Sequence, residues 1–154
     1  MANLNDLTTA IVARLTAAQG EGGALHAAAG AMILREDVHD LPTEINRAIG
    51  QIGMLILVGM PHFENSATLS NPTLQMNVHC AVAIGENPMV WRKADASRPT
   101  APEVAQAVCQ LLHTFKIAGF QPLAAIRGDY VPDKKRQLYE IPVETLLTVP
   151  TLTN

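Results

Sequence analysis

The spacing of apolar and polar positions predicts most of the secondary structure. Leu4, Leu7, Ile11, Val12 and Leu15 fall on one helical stripe, with Asn3 or Asn5 placed to cap it and Gly20 to end it. The Gly/Ala-rich run GEGGALHAAAGA reads as a flexible loop or loose turn over 20–31. Met32-Ile33-Leu34 follows as a short strand, and Pro42 to Ile49 as a second helix with proline in its first turn. Met54–Met60 is apolar at successive positions, as expected of a central strand covered on both faces. HFENSATLSNP, rich in Asn and Ser, reads as a loop.

The clearest strand pattern is Gln75–Gly85. Met76, Val78, Cys80, Val82 and Ile84 point one way, and Gln75, Asn77 and His79 the other. IGENPMVWRKADASRPTAPEV runs from that strand's end into one long turn from Asn87-Pro88 and on into a helix start. Thr100 and Glu103 then form a capping-box pattern. It opens a helix whose stripe is Val104, Val108, Leu111, Leu112 and Phe115, with Gly119 as its stop and Pro122 beyond. Leu123–Val131 and Gln137–Val149 predict a terminal hairpin with a basic tip. Pro142 marks its second strand as an edge or a bulge. An edge strand of that length needs cover, which a neighbouring copy supplies in an oligomer. The expected fold is α+β: a mainly antiparallel or mixed sheet with about three helices packed on it, in a single domain spanning 1–154.

Composition narrows this reading. The 154 residues are 48% hydrophobic, 16% charged and only 4% aromatic, so the core is built from aliphatic side chains and Met. A net charge of −3 argues against general affinity for nucleic acid. The N-terminus lacks the cationic stretch and apolar run of a signal peptide, and no apolar run has the length of a membrane span. Cys80 and Cys109 read as free thiols on the apolar sides of their elements, in a reducing cytoplasm.

Candidate chemistry is sparse. The five histidines form no metal-binding pair motif, and His79 and Cys80, adjacent on a strand, point to opposite faces. No nucleophile elbow, phosphate loop or dinucleotide fingerprint is present. Glu36, Asp37, Asp40 and Glu44 read as a solvated connection with a helix N-terminal bias, and Arg127-Gly128-Asp129 as a chance tripeptide. Two cationic groups stand out on an acidic chain. One is Arg92, Lys93 and Arg98 beside the single tryptophan, Trp91, which is either a core or an interface side chain. The other is Lys134, Lys135 and Arg136 at the hairpin tip.

Three stretches together resemble one family. They are IGENPMVWRK, with Glu86, Asn87, Pro88 and Arg92 after a strand; the capped helix TAPEVAQAVCQLLHTFKIAG; and LYEIPVETLLTV. The pattern resembles the tail-terminator (tail-completion) proteins of bacteriophages and prophages. It covers most of 75–149 and the first half in outline, while 20–31 matches no feature of that family. The resemblance implies a non-catalytic subunit without cofactor or metal. It also implies a hexameric homo-oligomeric ring that caps the tail tube and joins it to the neck or head. Such a protein works in the host cytoplasm during assembly and in the virion tail, without a membrane. The expected contact residues are Trp91, Arg92, Lys93, Arg98, Lys134, Lys135 and Arg136, with Tyr139, Ile141 and Val143 on the final strand meeting the next subunit. Two other readings stand beside this one. One is a small α+β enzyme or ligand-binding domain with a pocket near His79; the other is a nucleic-acid module acting through both basic groups.

Overall fold

The structure, a computed structural model, describes residues 2–66, 73–133 and 136–152. Helix α1 spans Leu4–Ala18. Asn3, not Asn5, caps it. The Asn3 side-chain oxygen accepts from the Asn5 and Asp6 N–H groups, and the Asp6 carboxylate accepts from Asn3 N–H at 2.7 Å. That reciprocal pair satisfies donors the first turn would otherwise leave open. Leu7, Ile11, Leu15 and Ala18 form its buried face.

The Gly/Ala-rich segment after α1 is a turn built against the core. Leu25, Ala28 and Ala31 are buried, and Gln19 Nε2 donates to the Ala28 and Ala31 carbonyls at 3.1 and 3.0 Å. Its small residues allow close approach: a Cβ on Gly23 would lie 2.1 Å from the Ala18 carbonyl oxygen. Strand β1 is Met32–Arg35 and helix α2 is Leu41–Arg47. The helix widens into one π turn, Ala48–Ile52, and stops at Gly53, whose φ is 93°. Strand β2 is Met54–Val58, shorter at its end than the apolar run suggested.

The six strands form one mixed sheet ordered β1-β2-β4-β6-β5. Here β3 is His62–Ser66, β4 Thr73–Glu86, β5 Asp129–Val131 and β6 Gln137–Pro150. The β1–β2 pair is parallel and every other pair antiparallel. The long β4 pairs with β2 along its second half and with β3 along its first. Residues 62–66, read as loop, are therefore strand. Their Asn, Ser and Glu content gives no β signal of its own, and the partner strand imposes the conformation. The rest of that stretch, 67–72, lies outside the described residues.

Helices α3, Pro88–Ala94, and α4, Ala101–Leu112, follow β4. The turn expected over 87–99 thus contains a seven-residue helix, entered through Pro88 at its first position and capped by the Asn87 side chain. The Thr100–Glu103 capping box is present. Yet α4 ends at Leu112, seven residues before the expected stop at Gly119. Thr114 turns left-handed at φ 64°, donates its N–H to Leu123 O, and Phe115 O accepts from Leu123 N–H. Pairing with residue 123 outcompetes continued helix.

Helices α1 and α4 cover one face of the sheet around Met54, Ile56, Val58, Val78, Val82 and Ile84. Helix α2 and its π turn cover part of the other, where Ala48, Ile45 and Ile49 meet Leu34 and Leu55. This explains the unbroken apolar run of β2: alternate residues enter two different cores. The alternation read for β4 holds, with Val78, Cys80, Val82 and Ile84 buried and Gln75 and His79 exposed.

The terminal strand differs most from expectation. Strand β6 pairs with β4 over its whole length, Thr73↔Pro150 to Glu86↔Gln137. Its other side is flanked by β5 and by bridges at Ala124↔Glu144 and Phe120↔Leu147. The ribbon is shielded within one chain. Only three residues of the expected strand 123–131 make a ladder with β6. Glu144 N–H donates outward to Ala124 O, so by alternation the position of Pro142 also faces outward, between β5 and that bridge. The missing donor falls where no partner strand needs it.

Two outcomes follow from this packing. A Cβ on Gly53 would sit 2.4 Å from the Trp91 backbone nitrogen, at a φ that side chains rarely adopt. Gly53→Ala is expected to destabilise the fold by about 2–4 kcal/mol, read from the urea midpoint. Burial pushes the Cys80 thiol up to about 12 and raises that of Cys109 less far. At pH 8 the Cys80 thiolate fraction is on the order of 10⁻⁴. Thiol reagents should therefore label Cys80 only as the protein unfolds; fast labelling of the native chain would contradict this burial.

Candidate functional site

The cationic group around Trp91 is built inward. Trp91 is fully buried, and its indole Nε1 donates to Pro99 O at 2.9 Å. Of the two roles the sequence left open, the structure selects core, so Trp91 offers no ring surface to a partner. Arg98 stacks on that indole, its guanidinium carbon 4.3 Å from the ring centroid, and donates to Trp91 O at 3.2 Å. Arg92 Nε donates to Glu86 at 2.9 Å. The Glu86 side chain is 0% exposed, and its other oxygen accepts from Ala101 N–H, the first residue of α4. One buried carboxylate thus ties β4, α3 and α4 together. Arg92 and Arg98 brace the fold, and of the four residues only Lys93 is exposed. Asp95 closes the following turn. Hydrogen bonds from the Ser97 hydroxyl and N–H hold its carboxyl below the usual range.

The hairpin-tip group is only partly described. Arg136 Nε lies 3.3 Å from Asp133, while Lys134 and Lys135 lie outside the described residues. Register brings the two basic groups to one end of the sheet, because Gln137 pairs with Glu86, the residue that holds Arg92. Met89 sits at that end too, 76% exposed and one helical turn before Lys93. Sequence reasoning passed over Met89, since an isolated methionine in an expected turn carries no signal.

Of the three residues expected to meet the next subunit, Ile141 and Val143 are buried and Tyr139 is half-buried. Ile141 and Val143 are 0% and 1% exposed in the chain's own core, and the Tyr139 ring packs 5.5 Å from that of Tyr130. The apolar side of β6 faces α4.

The face around His79 takes shape on the other side of the sheet. Cross-strand register aligns Glu144, His79 and His62 in one row and Leu146, Asn77 and Glu64 in the next. His79 Nδ1 is 3.6 Å from Glu144. Beside them lies an open trough of about 450 Å³, floored by Ala81, Ala83, Leu57 and Pro142 and edged by Glu36, Glu140, His62 and His79. The acidic group after β1 is otherwise spent locally. Asp37 pairs with Arg35, Glu44 with Arg47, Asp40 accepts from the Thr43 hydroxyl, and Glu36 from Met60 N–H. Among the described residues, no group of three or more His, Cys, Asp or Glu is placed to hold a metal ion. No helix among them is long and apolar enough to cross a membrane. The arrangement therefore offers a cationic end and an acidic, partly apolar face.

Neither known protein families nor curated proteins match this sequence. A solved chain from a structure described as the virion of a native gene transfer agent particle does match the fold. Its TM-score is 0.60 over 93% of this chain and 95% of that one, at 13% sequence identity. The likeness is one of fold.

The Glu86–Arg92 pair yields an asymmetric expectation. Arg92→Ala strands a buried carboxylate and should cost about 3 kcal/mol. Glu86→Gln leaves behind an arginine whose side chain is 35% exposed, and should cost less, about 1–2 kcal/mol. Equilibrium denaturation of both variants checks the order; a larger loss in Glu86→Gln would contradict it.

Proposed function

We propose that this chain is a structural subunit of a phage-type tail, working as a tail-terminator-like ring that caps the tail tube and joins it to the neck or head. The observation that carries this reading is the fold shared with a chain of a gene transfer agent virion over nearly the whole of both chains. The tail-terminator resemblance of 75–149 supports it from the sequence side. The role is non-catalytic. Its setting is the host cytoplasm during assembly and afterwards the virion tail, and its partners are copies of itself, the tail tube and the connector.

Symmetry gives the surface charges their use. A closed ring repeats each exposed cationic group once per subunit, so contacts that are weak singly add together. We assign these contacts to Lys93 and the 134–136 tip, since Trp91, Arg92 and Arg98 hold the fold.

The purified chain, alone or with tail-tube protein, should form a closed oligomer of fixed subunit number by native mass measurement. Reversing the tip (Lys134→Glu, Lys135→Glu, Arg136→Glu) should leave circular dichroism unchanged and impair assembly. Normal assembly by that variant would remove the tip from the contact set, and a chain monomeric under every condition would overturn the ring.

A further inference from the structure

The sheet face opposite α1 and α4 is covered where α2 and its π turn rest on β1, β2 and the Gly85 end of β4. Among the described residues, no helix lines the hollows farther along β3, β4 and β6. Its floor is short and apolar: Ala81, Ala83 and Pro142 are half-buried beside Leu57. Its charge is one-sided. Glu36 and Glu140 edge the trough, and Glu64 and Glu144 edge a second hollow that shares His79 with it. Among the described residues no lysine or arginine lines either hollow. Four carboxylates over an apolar floor fit a cationic segment carrying long methylene stems, which cover the floor while their heads reach the rim.

The chain's own arginines are already engaged inside one copy. Arg14 lies over Phe115, Arg98 over Trp91, and Arg35, Arg47, Arg92, Arg127 and Arg136 pair with carboxylates. The densest cationic run in the sequence is Lys134-Lys135-Arg136, where both lysines are adjacent. Glu140 lies four residues along the chain from Arg136, roughly 13 Å at the strand rise.

We propose that the open acidic face receives Lys134 and Lys135 from the hairpin tip of a second copy of this chain, joining copies head to tail. The inference rests on the ring reading and specifies its subunit contact. Because tip and face are different surfaces, the contact is heterologous. Such contacts close into rings when the rotation between copies allows. It also supplies the cover the sequence analysis sought, but for a face and not for an edge.

The test mixes isotopically heavy and light chains at assembling concentration and joins touching amines and carboxylates with a carbodiimide. The expected products are heavy–light pairs linking Lys134 or Lys135 to Glu140 or Glu144. Exclusively same-chain links, or inter-chain links elsewhere, would overturn the proposal. In parallel, Glu140→Lys with Glu144→Lys should weaken self-association about tenfold or more, with unchanged circular dichroism and melting. Adding Lys134→Glu and Lys135→Glu to the same chain should recover most of that loss. Rings that form normally in the face variant would discard this docking and leave the structural-subunit reading standing. A chain that never associates would discard both.

Discussion

The fourteen-residue antiparallel ladder between β4 and β6 is the constraint on which the rest of this structure depends. Two long strands locked in one register decide, at every second residue, what enters the core and what stays outside. A slip of one residue would drive Ile141, Val143 and Leu147 to the open face and Glu140 and Glu144 into the core. The burial of charge makes such a slip prohibitive. Both faces of the sheet, and the functional surfaces on them, therefore descend from one pairing.

The end of that ladder is where the chain spends a buried charge. Glu86 faces Gln137 across the strands, binds Arg92 of α3 and accepts from the first N–H of α4. A buried carboxylate is costly unless each oxygen is met, and here each is. The result fixes the position of two helices relative to the sheet. It also gathers Met89, Lys93 and Arg136 at one end of the molecule. Lys93 and Arg136, 43 positions apart in sequence, come to one end of the sheet through register.

The opposite face is shaped by what does not cover it. Helix α2 is short and, with its π turn, reaches β1, β2 and the Gly85 end of β4, so farther along β4 and β6 alanine, proline, histidine and glutamate face solvent. A small acidic body with a cationic end and an acidic face is electrically polarised. Polarised subunits orient one another as they approach, and at about 0.15 M salt the attraction acts over roughly 8 Å. That property fits the ring proposed above.

Much of this was legible from the amino-acid sequence because the relevant forces are local. The stripes of α1 and α4, the caps at Asn3 and Thr100, the alternation of β4 and the two-sided burial of β2 rest on periodicity and near-neighbour hydrogen bonds. Where distant chain decided the outcome, sequence reasoning failed for a physical reason. Residues 62–66 are strand because β4 pairs with them, and α4 stops at Leu112 because residue 123 captures Thr114 and Phe115. Trp91 belongs to the core because Pro99 and Arg98 close over it, and no spacing rule reveals that. The sequence determined which residues prefer apolar surroundings and which turns are allowed. Tertiary structure alone decided that β6 is flanked on both sides and that carboxylates of β3, β6 and the turn after β1 share a face, because register and sheet order are relations between segments far apart in the chain.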